Sequence, residues 1–137
     1  MTLRGLLAVA VGGILLLTAA ADAAREVPVP KGVPKGFVPA GGCVPGMGQH
    51  WISPKAFPFG PIYGVFRGRL VFVEYMIAQE AFRAGKSWTG LKVPPGVKVD
   101  HLDLEFLPKG HEGYEIPHYD LHVYFVPHGT HLKYCPH

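Results

Sequence analysis

Residues 117–126 read Pro-His-Tyr-Asp-Leu-His-Val-Tyr-Phe-Val. The alternation predicts a strand, in which successive side chains point to opposite faces. His118, Asp120 and His122 then project together from one face, and Tyr119, Leu121, Val123 and Phe125 from the other. Two imidazoles around a carboxylate form a partial coordination shell, because zinc and other transition metals accept imidazole nitrogen, often beside a carboxylate oxygen. The same pattern also describes a half-solvated strand whose polar side simply meets water.

All eight histidines lie from residue 50 onward, and six of them, His101, His111, His118, His122, His128 and His131, crowd into one stretch of the chain. His50 follows a glycine-flanked turn, Gly46-Met47-Gly48, and stands beside Trp51. Glu74 interrupts the apolar run Leu-Val-Phe-Val-Glu-Tyr-Met-Ile, where a carboxylate is costly unless it is paired or coordinated. It is read as a metal ligand or as the partner of Arg67 or Arg69, with an edge position facing solvent as the bland case. The candidate metal set is His50, Glu74, His118 and His122, with zinc as the ion. His101, Asp103, Glu105 and Asp120 are supporting residues that could orient the ligating rings.

Other chemistries find little support. His111-Glu112-Gly113-Tyr114-Glu115 has Glu115 where a zincin helix needs its second His, and Gly113 and Pro117 oppose a helix. The serines Ser53 and Ser87 lack a triad setting, and no phosphate-cradling glycine loop is present. Met47 and Met76 with nearby His could suit copper, but Met76 reads better as core. The basic residues form no cluster, which argues against nucleic-acid binding.

The elements that must position the candidate residues are strands. Residues 62–66 and 70–75 predict a hairpin turning at Arg67-Gly68. Residues 76–84 predict the one short helix, ending at Gly85. Residues 97–107 alternate as well, and pair with 116–126 in a symmetric hairpin that would set His101 near His122, Asp103 near Asp120 and Glu105 near His118. The fold class is mainly β (α+β): antiparallel strands in a small sandwich or barrel-like domain.

Arg4, the apolar stretch 6–17 and the small residues 18–24 compose a signal peptide over residues 1–23, with an Ala-x-Ala cleavage motif at Ala21-Asp22-Ala23 or Ala19-Ala20-Ala21. The apolar run is Gly-interrupted and shorter than the ~20 residues of a membrane span; an uncleaved anchor is the rival reading. Export implies a secreted or periplasmic protein with no stable membrane span after cleavage. Residues 24–49, rich in Pro and Gly, read as an extended arm, and residues 50–137 as a single β-rich domain. In an oxidising compartment Cys43 and Cys135 favour a disulfide over two thiolate ligands. The chain has no Asn, so it carries no N-glycosylation site. Six Tyr and two Trp suit a small-molecule pocket or a subunit interface.

The segments Gly-Met-Gly-Gln-His-Trp, Pro-x-Tyr-Gly, Leu-Val-Phe-Val-Glu and Pro-His-Tyr-Asp-Leu-His-Val-Tyr-Phe, in this order, resemble a family of small exported bacterial proteins of uncharacterised function, typified by a thermophile envelope-stress protein. The resemblance implies an exported β-rich domain and a symmetric homo-oligomer, and it assigns no reaction. His50, Glu74, His118 and His122 match its motif positions. The expected function is metal or small-ligand binding. The alternatives are a metal-dependent enzyme using the same cluster, with Asp120 or Glu105 as general base, and a purely structural oligomer of the envelope.

Overall fold

In the computed structural model, residues 28–136 are described. The expected signal peptide, residues 1–23, lies outside them, as does the beginning of the arm.

The described residues form six strands and two short helices: β1 Val38–Val44, β2 Gly48–Ile52, β3 Ile62–Phe66, β4 Arg69–Ala78, α1 Gln79–Arg83, β5 His101–Leu107, β6 His118–Tyr124 and α2 His128–His131. All six strands join one sheet in the order β1-β2-β3-β4-β6-β5, with antiparallel neighbours throughout. The expectation of a mainly β, antiparallel domain holds. The strands make a single open sheet instead of a sandwich or barrel, because β1 and β5 remain at opposite edges.

Part of the segment read as an extended arm is β1 itself. Pro39 sits in it opposite Trp51, and proline is tolerated there because an edge strand has one side free of ladder hydrogen bonds. Cys43 is tied to Cys135 by a disulfide that closes a separation of 92 residues. The β3–β4 hairpin turns on Arg67 and Gly68, both at positive φ (50° and 74°). This is the two-residue turn whose twist matches that of paired strands.

The helix is shorter than its sequence pattern. Met76, Ile77 and Ala78 continue β4, opposite Asp120, Tyr119 and His118. A central strand with partners on both sides outcompetes the weak nucleation of a short helix.

One face of the sheet is apolar: Trp51, Tyr63, Val65, Val73, Tyr75 and Val123 bury one another, with Val33 from the leading segment. The other face carries Phe72, Glu74 and Met76 of β4 directly opposite Tyr124, His122 and Asp120 of β6. Residues paired in this way project from the same side. Gly64 is required here, since a Cβ on it would lie 2.1 Å from the Phe72 ring. With no side chain at residue 64, Phe72 can lie flat over β3.

Candidate metal centre

The His-Asp-His face of β6 is the buried face. His118 and His122 have no exposed surface and Asp120 is 5% exposed, whereas Tyr119 and Leu121 on the opposite face are only half-buried. This inverts what a half-solvated strand would show, where the polar side meets water.

The histidines and acids of this face fall into three groups of converging donor atoms, within each of which the atoms lie within 4.8 Å of one another: His50 with Glu74 and His122; His111 with His118 and Asp120; and His101 with Asp103, His128 and His131. In the central group, Glu74 Oε2 lies 3.5 Å from His50 Nε2 and 3.8 Å from His122 Nε2. β2, β4 and β6 each contribute one of these residues. Phe72 packs edge-on against both imidazoles, with its ring centroid 5.3 Å from that of His50 and 4.9 Å from that of His122. Glu105 Oε2 approaches the other nitrogen of His122 at 3.7 Å, the position from which a carboxylate orients a ligating ring. Glu74 is buried, and its close partners are these histidines, so the solvent-facing edge reading does not apply.

His118 stands apart from this group. Along an extended strand, residues four apart are separated by about 13 Å, so His118 and His122 cannot share one ion. His118 Nε2 lies 3.0 Å from Asp120 Oδ1, and His111 Nε2 lies 3.9 Å from Asp120 Oδ2. His111 arrives from the 108–117 connection, together with Tyr114, whose ring is 4.6 Å from that of His118.

His101 and Asp103 are likewise not supports of the central group. The β5–β6 register sets Asp103 opposite His122, Glu105 opposite Asp120 and His101 opposite Tyr124. This is shifted by two residues from the symmetric pairing expected. Such a shift preserves the face and changes the partners. His101 and Asp103 then meet α2. The sequence pattern alone assigns no role to His128 or His131, although His-Gly-Thr-His places two imidazoles at helical i, i+3 spacing. His111 is not among the expected ligands either, because it lies in the connection between β5 and β6, outside the alternation that marks the strand faces.

Ring orientation is set by the backbone. Nδ1 of His118 donates to the Ile116 carbonyl (2.7 Å), and Nδ1 of His111 to the Glu112 carbonyl (3.1 Å). With Nδ1 held in this way, Nε2 of each ring faces Asp120, and a backbone carbonyl behind Nδ1 is the arrangement found around metal-ligating histidines. Among the described residues, seven buried side-chain N or O atoms lack a hydrogen-bond partner, and six of these belong to Glu74, His101, His118, Asp120 and His122. Each such atom costs roughly 1–3 kcal/mol when left unsatisfied. The six are carboxylate oxygens and imidazole nitrogens, the ligand types that transition-metal cations take.

Burial dominates the titration of the central group. It pushes the Glu74 carboxyl up to about 8, with Asp120 and Glu105 adding to the effect. It lowers His50 to about 4, helped by His111 and opposed by a hydrogen bond to the Gly48 backbone. It lowers His122 to about 3, helped by His50, His131 and His111. The Asp120 carboxyl is raised by burial, against the pull of His118 and His111. At neutral pH His50 and His122 therefore keep their lone pairs, and an arriving cation has only the Glu74 proton to displace.

The sequence profile of the TTHB210-like family, described as Hypothetical protein TTHB210, matches residues 67–106, less than half of the chain. No curated protein matches. The crystal structure of hypothetical protein TTHB210 from Thermus thermophilus superposes with a TM-score of 0.60 at 22% identity, covering 70% of this chain and 92% of that one. The chain is thus similar in fold to TTHB210, and the family profile matches the turn after β3, all of β4 and most of β5.

Proposed function

We propose that this protein binds a divalent transition-metal ion through His50, Glu74 and His122, and that the ion is zinc. Two imidazoles and one carboxylate are a zinc ligand set that leaves a fourth position open. The reading is carried by the convergence of buried, unpartnered ligand atoms: Glu74 Oε2 and His122 Nε2 are sealed from solvent and lie 3.8 Å apart, neither with a hydrogen-bond partner. Elemental analysis after zinc loading and desalting tests it. Wild type is expected to retain one more zinc per chain than Glu74→Gln or His122→Ala. Equal zinc contents in all three would remove the proposal.

Small-ligand binding has its own support in a cavity of about 300 Å³ beside α1, lined by Phe57, Phe59, Met76, Trp88 and Tyr114 among others. Its size and aromatic lining suit a small apolar molecule. Turnover is the further reading, favoured by the three-ligand count and by the nearness of Glu105, a half-exposed carboxylate, to His122. Metal-dependent hydrolysis of an activated ester, lost in Glu74→Gln, would establish it.

We place the protein outside the cytoplasm, as a homo-oligomer. The Cys43–Cys135 disulfide is compatible with export. No helix among the described residues is long and apolar enough to cross a membrane. Leu102, Leu104 and Phe106 are exposed on β5, an edge strand. An unpaired edge with an apolar face invites a second copy of the strand. Leu104→Lys is expected to reduce the mass measured by light scattering; an unchanged mass removes this contact.

A further inference from the structure

We propose that His101, Asp103, His128 and His131 form a second, four-coordinate zinc site that clips α2 to the edge of the sheet. It is independent of the ion held at Glu74.

Two local periodicities create the site. His101 and Asp103 are two residues apart on β5, and His128 and His131 are three residues apart on α2. Each spacing puts two side chains on one face of its element. His128 Nδ1 lies 3.2 Å from His131 Nε2 and 3.7 Å from Asp103 Oδ2, and Asp103 Oδ2 lies 3.8 Å from His101 Nε2. Four donors at zinc's bond length of about 2.0–2.1 Å, arranged as a tetrahedron, stand about 3.3 Å from one another. The observed separations are close to those edges before any ion has drawn the ligands in.

The rings are already held for the task. His131 is buried, and its Nδ1 donates to the Gly46 carbonyl at 2.6 Å. His101 Nδ1 donates to the Asp100 carboxylate at 2.9 Å. Both leave Nε2 as a lone pair, and His101 Nε2 is buried without a hydrogen-bond partner. A carbonyl behind one ligating histidine and a carboxylate behind another are the outer contacts that fix tautomer and ring plane around zinc. Tyr124 stacks flat on His131, ring centroids 4.0 Å apart, and on His101 at 4.8 Å. The neutral alternative is a single His128-to-His131 hydrogen bond, which leaves Asp103 and His101 Nε2 unused.

All four positions are filled by protein groups, which is the mark of a structural zinc site, whereas the Glu74 group retains an open position. Gly46 lies just beyond β1, next to the disulfide-bonded Cys43, so the ion would bind the end of the chain to β1 as well as to β5.

Cobalt(II) loading of the full chain, followed by visible spectroscopy and zinc competition, tests the site. The intense absorption of tetrahedral cobalt is expected in wild type and in Glu74→Gln, to weaken in His128→Ala, and to vanish when His128→Ala is added to Glu74→Gln. The His128 side chain is 58% exposed, so its removal spares the fold. Zinc affinity at this site should fall more than about 100-fold in His128→Ala and about 10–100-fold in Asp100→Asn, which removes only the outer partner of His101. An absent band in wild type, an unchanged band in His128→Ala, or its loss in Glu74→Gln would each overturn the proposal. The central ion is read separately by zinc stoichiometry in Glu74→Gln, so either site can fail alone.

Discussion

Glu74 stands directly across the β4–β6 ladder from His122, with Oε2 3.8 Å from Nε2 and both side chains sealed from solvent. Burial penalises each charge, so the two groups do not settle into an ion pair. The carboxyl is pushed up to about 8 and the imidazole down to about 3. The pair is left neutral, and a cation that displaces the carboxyl proton finds both groups facing it.

Substituting Glu74 by Gln should separate metal binding from folding. At pH 7 the unfolded carboxyl is ionised while the folded one keeps its proton, and the amide is nearly isosteric, so the metal-free variant is already expected to be more stable than wild type, by on the order of 3 kcal/mol. At pH 9.5 the wild-type carboxyl must ionise while buried as well, and the advantage of the variant is expected to grow by about 1–2 kcal/mol more. Urea unfolding at the two pH values checks this. A variant less stable than wild type at both would mean that Glu74 supports the fold through contacts other than an ion.

Proton release should accompany metal binding in a defined pH window. Below about 8 Glu74 carries a proton that the ion must displace, whereas His50 and His122 are already bare down to about 4 and about 3. About one proton per central ion is therefore expected between pH 5 and 7, with affinity rising as pH rises. Titration calorimetry in Glu74→Gln and wild type, in buffers of differing ionisation enthalpy, gives the difference. The metal-free protein should behave differently. Glu74, with its raised value, contributes stability that is present below about 4.5 and lost as pH rises through about 8. His50 and His122, with lowered values, contribute stability that is present above 6.5 and lost as pH falls through about 4 and about 3. Two histidines outweigh one carboxyl below 6.5 and the carboxyl dominates above it, so stability from these groups peaks near pH 6.5. A monotonic rise to pH 8 without metal would contradict the Glu74 assignment.

Loss of the disulfide should be felt most at the end of the chain. Closing 92 residues restricts the unfolded ensemble by up to about 4–5 kcal/mol in the chain-entropy view. Beyond that, Gly46 receives His131 and donates to the Tyr134 carbonyl, so α2 and its tail rest on the turn after β1. Cys43→Ala with Cys135→Ala is expected to lower the melting temperature and to speed hydrogen exchange at residues 128–135 before it does so in β4. Uniform loss of protection across β4 and the tail would argue against this local anchoring.

The strand pattern is legible in the sequence because period-2 alternation survives without knowledge of partners: β6 and the Arg67-Gly68 hairpin rest on local signals, and the disulfide on there being just two cysteines in a chain read as exported. Which face of β6 is covered is not legible. That depends on Phe72 lying over Gly64 and on the 108–117 connection folding back with His111 and Tyr114. Register is not legible either: parity fixes the face, while the long connection fixes the partner, so the pairing slides by two residues and carries His101 and Asp103 to α2. A shared face suggests grouping His118 with His122, yet strand rise alone separates them too far for one ion. His128 and His131 lie in a segment that reads as an irregular tail, where their spacing is the available signal.

Gly64 offers a test of how closely the fold holds the central group, without touching any ligand. An added Cβ would fall 2.1 Å from the Phe72 ring and 2.4 Å from two more of its carbons. A buried, central aromatic has little room to yield, and overpacking of this kind costs about 1–3 kcal/mol. Phe72 packs against both His50 and His122, so its displacement should disturb the donors as well. Gly64→Ala is therefore expected to lower stability by that amount and to weaken zinc binding at the Glu74 group by about 10-fold or more, while leaving the His128-dependent cobalt spectrum intact. If Gly64→Ala loses stability but retains full zinc affinity, the three donors do not depend on Phe72 for their placement.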